Sequence, residues 1–216
     1  MHKTVQNLIN IKNKIKAVSA DYNTIKIIAV SKTFPLENIL PLINYGHLDY
    51  GENKVQEAVK KWSEIKKDKS NIRLHLIGNL QTNKVKFAVK IFDYIHSLDS
   101  IKLAKKIADE QVNQSKKVKI FIQVNLANET QKAGISIDQL DELYNYSKSL
   151  NLNIIGLMCI PPESESPNDY FRNLKILNDK LGLKQLSMGM SADFMEAVYN
   201  QATYIRVGSN IFGARD

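Results

Sequence analysis

Eight short runs rich in β-branched and aromatic residues recur along the 216 residues of this chain, each followed by a segment of helical periodicity. No other feature narrows the possible folds as far. The runs are IKIIAVSK (25–32), HLDYGEN (47–53), IRLHLIG (72–78), YIHSLD (94–99), VKIFIQVNL (118–126), NIIGLMCI (153–160), KQLSMGM (184–190) and YIRVGSNIFG (204–213). Between them Val55, Val59, Trp62 and Ile65 form one apolar stripe, and Val85, Val89 and Phe92 form another. Ile137, Leu140 and Tyr144 make a third, and Tyr170, Leu174, Leu177 and Leu181 the clearest. Strands alternating with helices, with no composition break or long linker, predict parallel βαβ units. Eight such units close a TIM barrel, so the expected fold class is α/β, a single-domain (β/α)8 barrel spanning residues 1–216. The alternative is an open doubly wound sheet. That fold carries a Gly-rich turn after its first strand, whereas Ser31-Lys32-Thr33 follows Val30 here.

Residues 1–20 precede the first run and read as an amphipathic helix, with Val5, Leu8, Ile11, Ile15 and Val18 on one face, placed to cover the bottom of the barrel. PPESESP (161–167) reads as an exposed loop after the sixth strand. With 44% hydrophobic and 24% charged residues, the chain has enough apolar material for a large core and does not read as disordered. No run approaches the roughly 18 consecutive apolar residues that a membrane span needs. The N-terminus lacks the apolar segment of a secretory signal, and a single cysteine permits no internal disulfide, so a cytoplasmic protein is expected. The net charge of +8 raises the question of nucleic acid, but arginine occurs only at 73, 172, 206 and 215 and the lysines are dispersed over the helical segments. That pattern reads as solvated helix faces with a mild attraction for anionic small molecules. No sustained exposed apolar face is evident, which points to a monomer.

In a (β/α)8 barrel the functional groups gather at the C-terminal ends of the strands. Those ends carry one lysine, Lys32, and one arginine, Arg206, that interrupt apolar runs. SMGMS (187–191) and RVGSNIFG (206–213) follow the seventh and eighth strands, where barrels of this class recurrently bind phosphate through loop N–H groups and hydroxyls. The histidines at 2, 47, 75 and 96 lack metal-ligand spacing, and His75, between Leu74 and Leu76, reads as a core or rim residue. Cys159 follows Leu157-Met158 and reads as a small buried filler. A lysine against an apolar wall can form a Schiff base, so the set suits an aldehyde that carries a phosphate. Pyridoxal 5′-phosphate (PLP) is one such aldehyde, and a phosphorylated sugar in a Schiff-base aldolase is another.

The segments AVSKTFP, YGENKVQE, HLIGNLQTNK, IHSLDS, IQVNLANETQKAG, GLMCIPP, LSMGMSADFMEAV and RVGSNIFGARD, in unbroken order from Ile27 to Asp216, resemble the YggS/PROSC family of pyridoxal phosphate homeostasis proteins. The resemblance implies a fold-type III barrel like the N-terminal domain of alanine racemase, with PLP held as an internal aldimine. Carried over by motif, it makes Lys32 of AVSK the Schiff-base residue and sets Arg206 against the pyridine nitrogen. Ser187, Gly208 and Ser209 would hold the phosphate, and Asn53 of GEN would lie near the polar edge of the ring. Lys54 and Asn79 stand where the family varies. The implied function is binding and release of PLP for cofactor homeostasis, with PLP-dependent apo-enzymes as recipients and with little or no catalysis. A PLP-dependent amino-acid racemase is the alternative.

Overall fold

The computed structural model describes residues 1–127, 129 and 133–214. Eight parallel strands close a barrel in sequence order: β1 (Lys26–Val30), β2 (Asp49–Glu52), β3 (Arg73–Leu76), β4 (Tyr94–Leu98), β5 (Lys119–Gln123), β6 (Asn153–Met158), β7 (Gln185–Ser187) and β8 (Tyr204–Val207). Helix α1 (Lys3–Val18) precedes β1. The others follow their strands: α2 (Leu36–Asn44), α3 (Val55–Asp68), α4 (Val85–Ile91), α5 (Ile101–Asn113), α6 (Ile137–Ser149), α7 (Pro167–Lys180), α8 (Phe194–Tyr199) and α9 (Ser209–Phe212). Among the described residues no helix is long and apolar enough to cross a membrane.

Alternation along each strand sends every second side chain outward to the helices. Ile27 and Ala29, Leu74 and Leu76, Ile120 and Ile122, and Ile205 and Val207 point that way and join one large aliphatic core with Ile39, Trp62, Val89, Ile107, Leu143 and Phe171. The opposite faces of the strands converge inside the barrel, where Ile28, Tyr94, Phe121, Met158 and Tyr204 form a separate cluster. Gly51 of β2 makes room for it: a Cβ there would lie 2.8 Å from Ile28 Cγ2.

The leading helix takes a different place from the one its sequence suggested. α9 has only four residues, too short to cover β8 and β1. α1 fills that gap in the outer ring, packed against α2 and α9 rather than under the barrel, and Asn7 Nδ2 donates to Ile211 O at 2.9 Å. Val5, Leu8, Ile11 and Ile15 are buried as expected, but Val18 ends the helix and is exposed. Two further expectations shift. The run 204–213 is a strand only to Val207, because the chain turns at Gly208 and the rest winds into α9. On α7 Leu174 is buried and Leu177 and Leu181 pack against the core as expected, with Phe171 and Asn178 buried beside them, whereas Ile137 of α6 is exposed. In PPESESP the prolines at 161 and 162 are buried, residues 163–166 are exposed, and Pro167 opens α7, where its fixed φ suits a first helical position.

Candidate functional site

Lys32 stands two residues past β1, half-buried, and continues the inward parity of Lys26, Ile28 and Val30. The backbone on both sides of it is pinned from the outer face. Ser31, fully buried, donates its hydroxyl to Glu52 Oε1 at 2.8 Å, and the same oxygen accepts from Trp62 Nε1 at 3.0 Å. Lys61 Nζ of α3 donates to Glu52 Oε1 and to Ser31 O, each at 2.9 Å. Past the lysine, Thr33 adopts φ +68, a left-handed conformation that is costly for a β-branched residue, and its N–H donates to Glu57 Oε1 at 2.8 Å. Ser31 therefore serves the clamp, and Lys32 is the member of the pair that continues along the inward face.

Arg206 lies on β8, which pairs with β1 so that Ile28 stands opposite it. It is 3% exposed, and no carboxylate forms an ion pair with it among the described residues. Its Nη2 donates to Cys159 O at 3.0 Å at the mouth end of β6, and its Nη1 donates to Ser187 Oγ at 2.7 Å. From Ser187 a chain of buried contacts runs down through the barrel. Ser187 Oγ is 2.8 Å from His96 Nδ1, His96 Nε2 is 3.0 Å from His75 Nδ1, and His75 Nε2 is 3.0 Å from Asp49 Oδ1. Arg73 closes the far end with two bonds to Asp49, at 2.7 and 2.6 Å.

The charges at its ends give this chain a direction. Asp49 is an acceptor, so His75 Nε2 carries the proton and His75 Nδ1 accepts; His96 Nε2 then donates and His96 Nδ1 accepts. The Ser187 proton goes to His96, and its oxygen takes the Arg206 N–H. Burial holds both imidazoles neutral: it lowers His75 against the pull of Asp49, and it sets His96 well below its ordinary value, with His75 and Arg206 adding to the effect. Burial also acts to raise Asp49, but the hydrogen bonds from His75 and Arg73 prevail and keep its carboxyl well below the usual range. Burial lowers Arg206 as well, yet a guanidinium stays charged.

The loops that follow β7 and β8 meet at Ser191. Its Oγ accepts the Gly208 N–H at 3.1 Å and its carbonyl accepts from Asn210 Nδ2 at 2.8 Å, with Ser209 exposed at the start of α9. Asn53, just past β2, is half-buried, and its Oδ1 is buried with no hydrogen-bond partner. Gly78 lets it sit there, since a Cβ on that glycine would fall 2.4 Å from Asn53 O. A cleft of about 320 Å³ opens at the mouth between Gly78, Asn79, Gln123, Asn125 and Ile160. No His, Cys, Asp or Glu cluster among the described residues is arranged to hold a metal ion.

Lys32, Asn53, Arg206, Gly208 and Ser209 thus lie on β8, β1 and β2, three neighbouring strands of the barrel, or just past their C-terminal ends. Ser187 is on β7 beside them, but its hydroxyl is engaged by His96 and Arg206 behind the mouth. The hydroxyl at the Gly208 loop belongs to Ser191, four residues on. Cys159 is the buried filler its neighbours suggested, its thiol pushed up to about 12 by burial. Asp49, His96 and Lys61 were not foreseen. The inward parity of Tyr94 and His96 in YIHSL is the signal that points to one of them.

A family model described as "Alanine racemase, N-terminal domain" matches residues 6–216. The pyridoxal phosphate homeostasis protein of Aquifex aeolicus is 41% identical over 203 residues, covering 89% of this chain and 88% of that protein. The protein of the same name from Escherichia coli K12 is 34% identical over 234 residues, covering 100% and 98%. Among solved structures, PipY of Synechococcus elongatus PCC7942 with PLP bound superposes with a TM-score of 0.86 at 33% identity, covering 97% of this chain and 100% of that one. The chain belongs to the alanine racemase N-terminal-domain family, and within it to the YggS/PROSC pyridoxal phosphate homeostasis proteins.

Proposed function

We propose that, as a member of this family, the chain binds PLP at the barrel mouth and serves intracellular PLP homeostasis, holding the cofactor and passing it to PLP-dependent apo-enzymes in the cytoplasm. The observation that carries the reading is Arg206, a buried guanidinium without a carboxylate in ion-pair contact among the described residues, one strand from Lys32. The groups present fit the cofactor. Lys32 supplies a primary amine at a pinned strand end, and Asn53 keeps a buried acceptor open beside it. Gly208 lets the backbone approach the phosphate and Ser209 supplies an N–H and a hydroxyl at the start of α9, with Ser191, which takes the Gly208 N–H, in the position expected of Ser187. When bound, the cofactor supplies an aldehyde that condenses reversibly with primary amines. Arg206 opposes protonation of a pyridine nitrogen facing it, because two positive charges would then face each other. An unprotonated ring withdraws electrons poorly, which favours holding and release over carbanion chemistry. Incoming amines would displace Lys32 and speed transfer.

The test is an absorbance titration of the purified chain with PLP, followed by borohydride reduction and peptide mapping. A visible band fixed by reduction onto Lys32, and weaker binding by Lys32→Ala, are the expected results. Label scattered over surface lysines, or equal affinity in Lys32→Ala, would overturn the assignment. Exchange of an amino acid's Cα proton well above the rate given by free PLP would favour a racemase instead.

A further inference from the structure

The closed end of the barrel carries charge that the mouth does not use. β1, β3 and β5 open on Lys26, Arg73 and Lys119, three cations at the inward positions of alternate strands. Lys26 Nζ lies 5.1 Å from the Tyr204 ring centroid, and Lys119 Nζ lies 5.2 Å from that of Tyr94. Lys12 reaches the same region from α1, its Nζ 5.6 Å from the Tyr45 ring. Lys12, Lys26 and Arg73 line a cleft of about 780 Å³, more than twice the volume of the one at the mouth. The carboxylate among its lining residues is Asp49, which already accepts from Arg73 and His75. Arg73 spends Nε and Nη2 on Asp49 and keeps the two N–H groups of Nη1. His47, also on the wall, is lowered by burial to about 4 and adds no charge near neutrality. Neither Lys12 nor Lys26 forms an ion pair with a carboxylate among the described residues.

Like charges held together on a concave, partly desolvated wall repel one another, and an anion between them would offset that repulsion. The volume suits a small molecule. Tyr22 and Tyr45 add flat walls with polar tips. We propose that this cleft is a second binding site, for a compact dianion such as a phosphate monoester, held by Lys12, Lys26 and Arg73.

The test is a titration of the ¹⁵N-labelled chain with inorganic phosphate at constant ionic strength, followed by amide shifts. The amides of Asn23, Ile25, Gly46 and Leu48 report the closed end, and those of Gly208 and Ser209 report the mouth separately. Saturable shifts at the first group, with affinity reduced about tenfold in Lys26→Met, are expected. Lys12 is exposed on α1, so Lys12→Met keeps the fold and carries the same test, with a smaller loss, if Lys26→Met does not. Shifts confined to the mouth, shifts that chloride reproduces, or unchanged affinity in these variants would overturn the site.

Discussion

The barrel wall separates two interiors built on different rules. Outside it, between strands and helices, the core is almost wholly aliphatic and aromatic, and its side chains interlock without regard to direction. Inside it, where barrels of this class stack bulky branched residues, five apolar side chains share the space with His75, His96, Asp49, Ser187 and Arg206. The outer layer stabilises by area and shape. The inner one adds direction: which atom of each group donates and which accepts is fixed from Asp49 at one end and Arg206 at the other. Any loss of volume harms the first, whereas the second is harmed above all by the loss of a partner.

Two phenylalanines test this most strongly. Phe171 is fully buried in the outer layer, and Phe171→Ala should cost about 3–5 kcal/mol, because the aliphatic cavity it leaves stays dry. Phe121 is equally buried inside the barrel, stacked on His96 with centroids 4.4 Å apart and edge-on to Tyr204 at 5.1 Å. Polar neighbours let water enter the space it leaves, so Phe121→Ala should cost less than Phe171→Ala in urea denaturation. Equal losses would mean that the inner core is packed like the outer.

Acid should separate the two interiors next. His75 and His96 hold values below the ordinary 6.5 through burial, so below that pH the unfolded chain takes up protons that the native barrel refuses. Stability contributed by these groups is complete above about 6.5 and falls as pH drops, by at most roughly 1.4 kcal/mol per pH unit for each histidine. His47, lowered to about 4, adds a third share down to that pH. Urea midpoints should stay nearly level from pH 7.5 to about 6.5 and then fall towards pH 5. A flat profile would show that the inner imidazoles are not held neutral.

The outer interior was largely legible in the sequence and the inner one was not, for reasons of geometry. Strand and helix periods are local, so the alternation of the eight runs and the stripes in α3 and α4 can be read directly. Ser209–Phe212 is too short to show a period, and its apolar residues read as more strand. Lys32 and Arg206 stood out because each interrupts an apolar run. Which groups meet across the barrel depends on strand stagger, which no single run encodes. Ser187 and Ser191 both lie in SMGMS, and only the placement of β7 puts one beside His96 and the other at Gly208. Asp49 and Arg73 likewise lie in two separate runs, and only the pairing of β2 with β3 sets them opposite each other.

Two buried serines give the smallest effect and the sharpest contrast. Ser147 lies on α6 in the outer layer, fully buried, and its Oγ has no hydrogen-bond partner among the described residues. Ser147→Ala removes a hydroxyl that was desolvated without return, so stability should hold or rise by up to about 1 kcal/mol. Ser187 is as deeply buried but mediates between Arg206 and His96. Ser187→Ala leaves His96 Nδ1 without a donor and an Arg206 N–H without an acceptor, and should cost about 1–3 kcal/mol. Ser187→Thr keeps the hydroxyl and should recover part of that loss, less whatever its extra methyl costs in a close-packed barrel. The same Ser→Ala exchange should therefore change sign across a wall one strand thick, and midpoints that moved alike would remove the distinction between the two interiors.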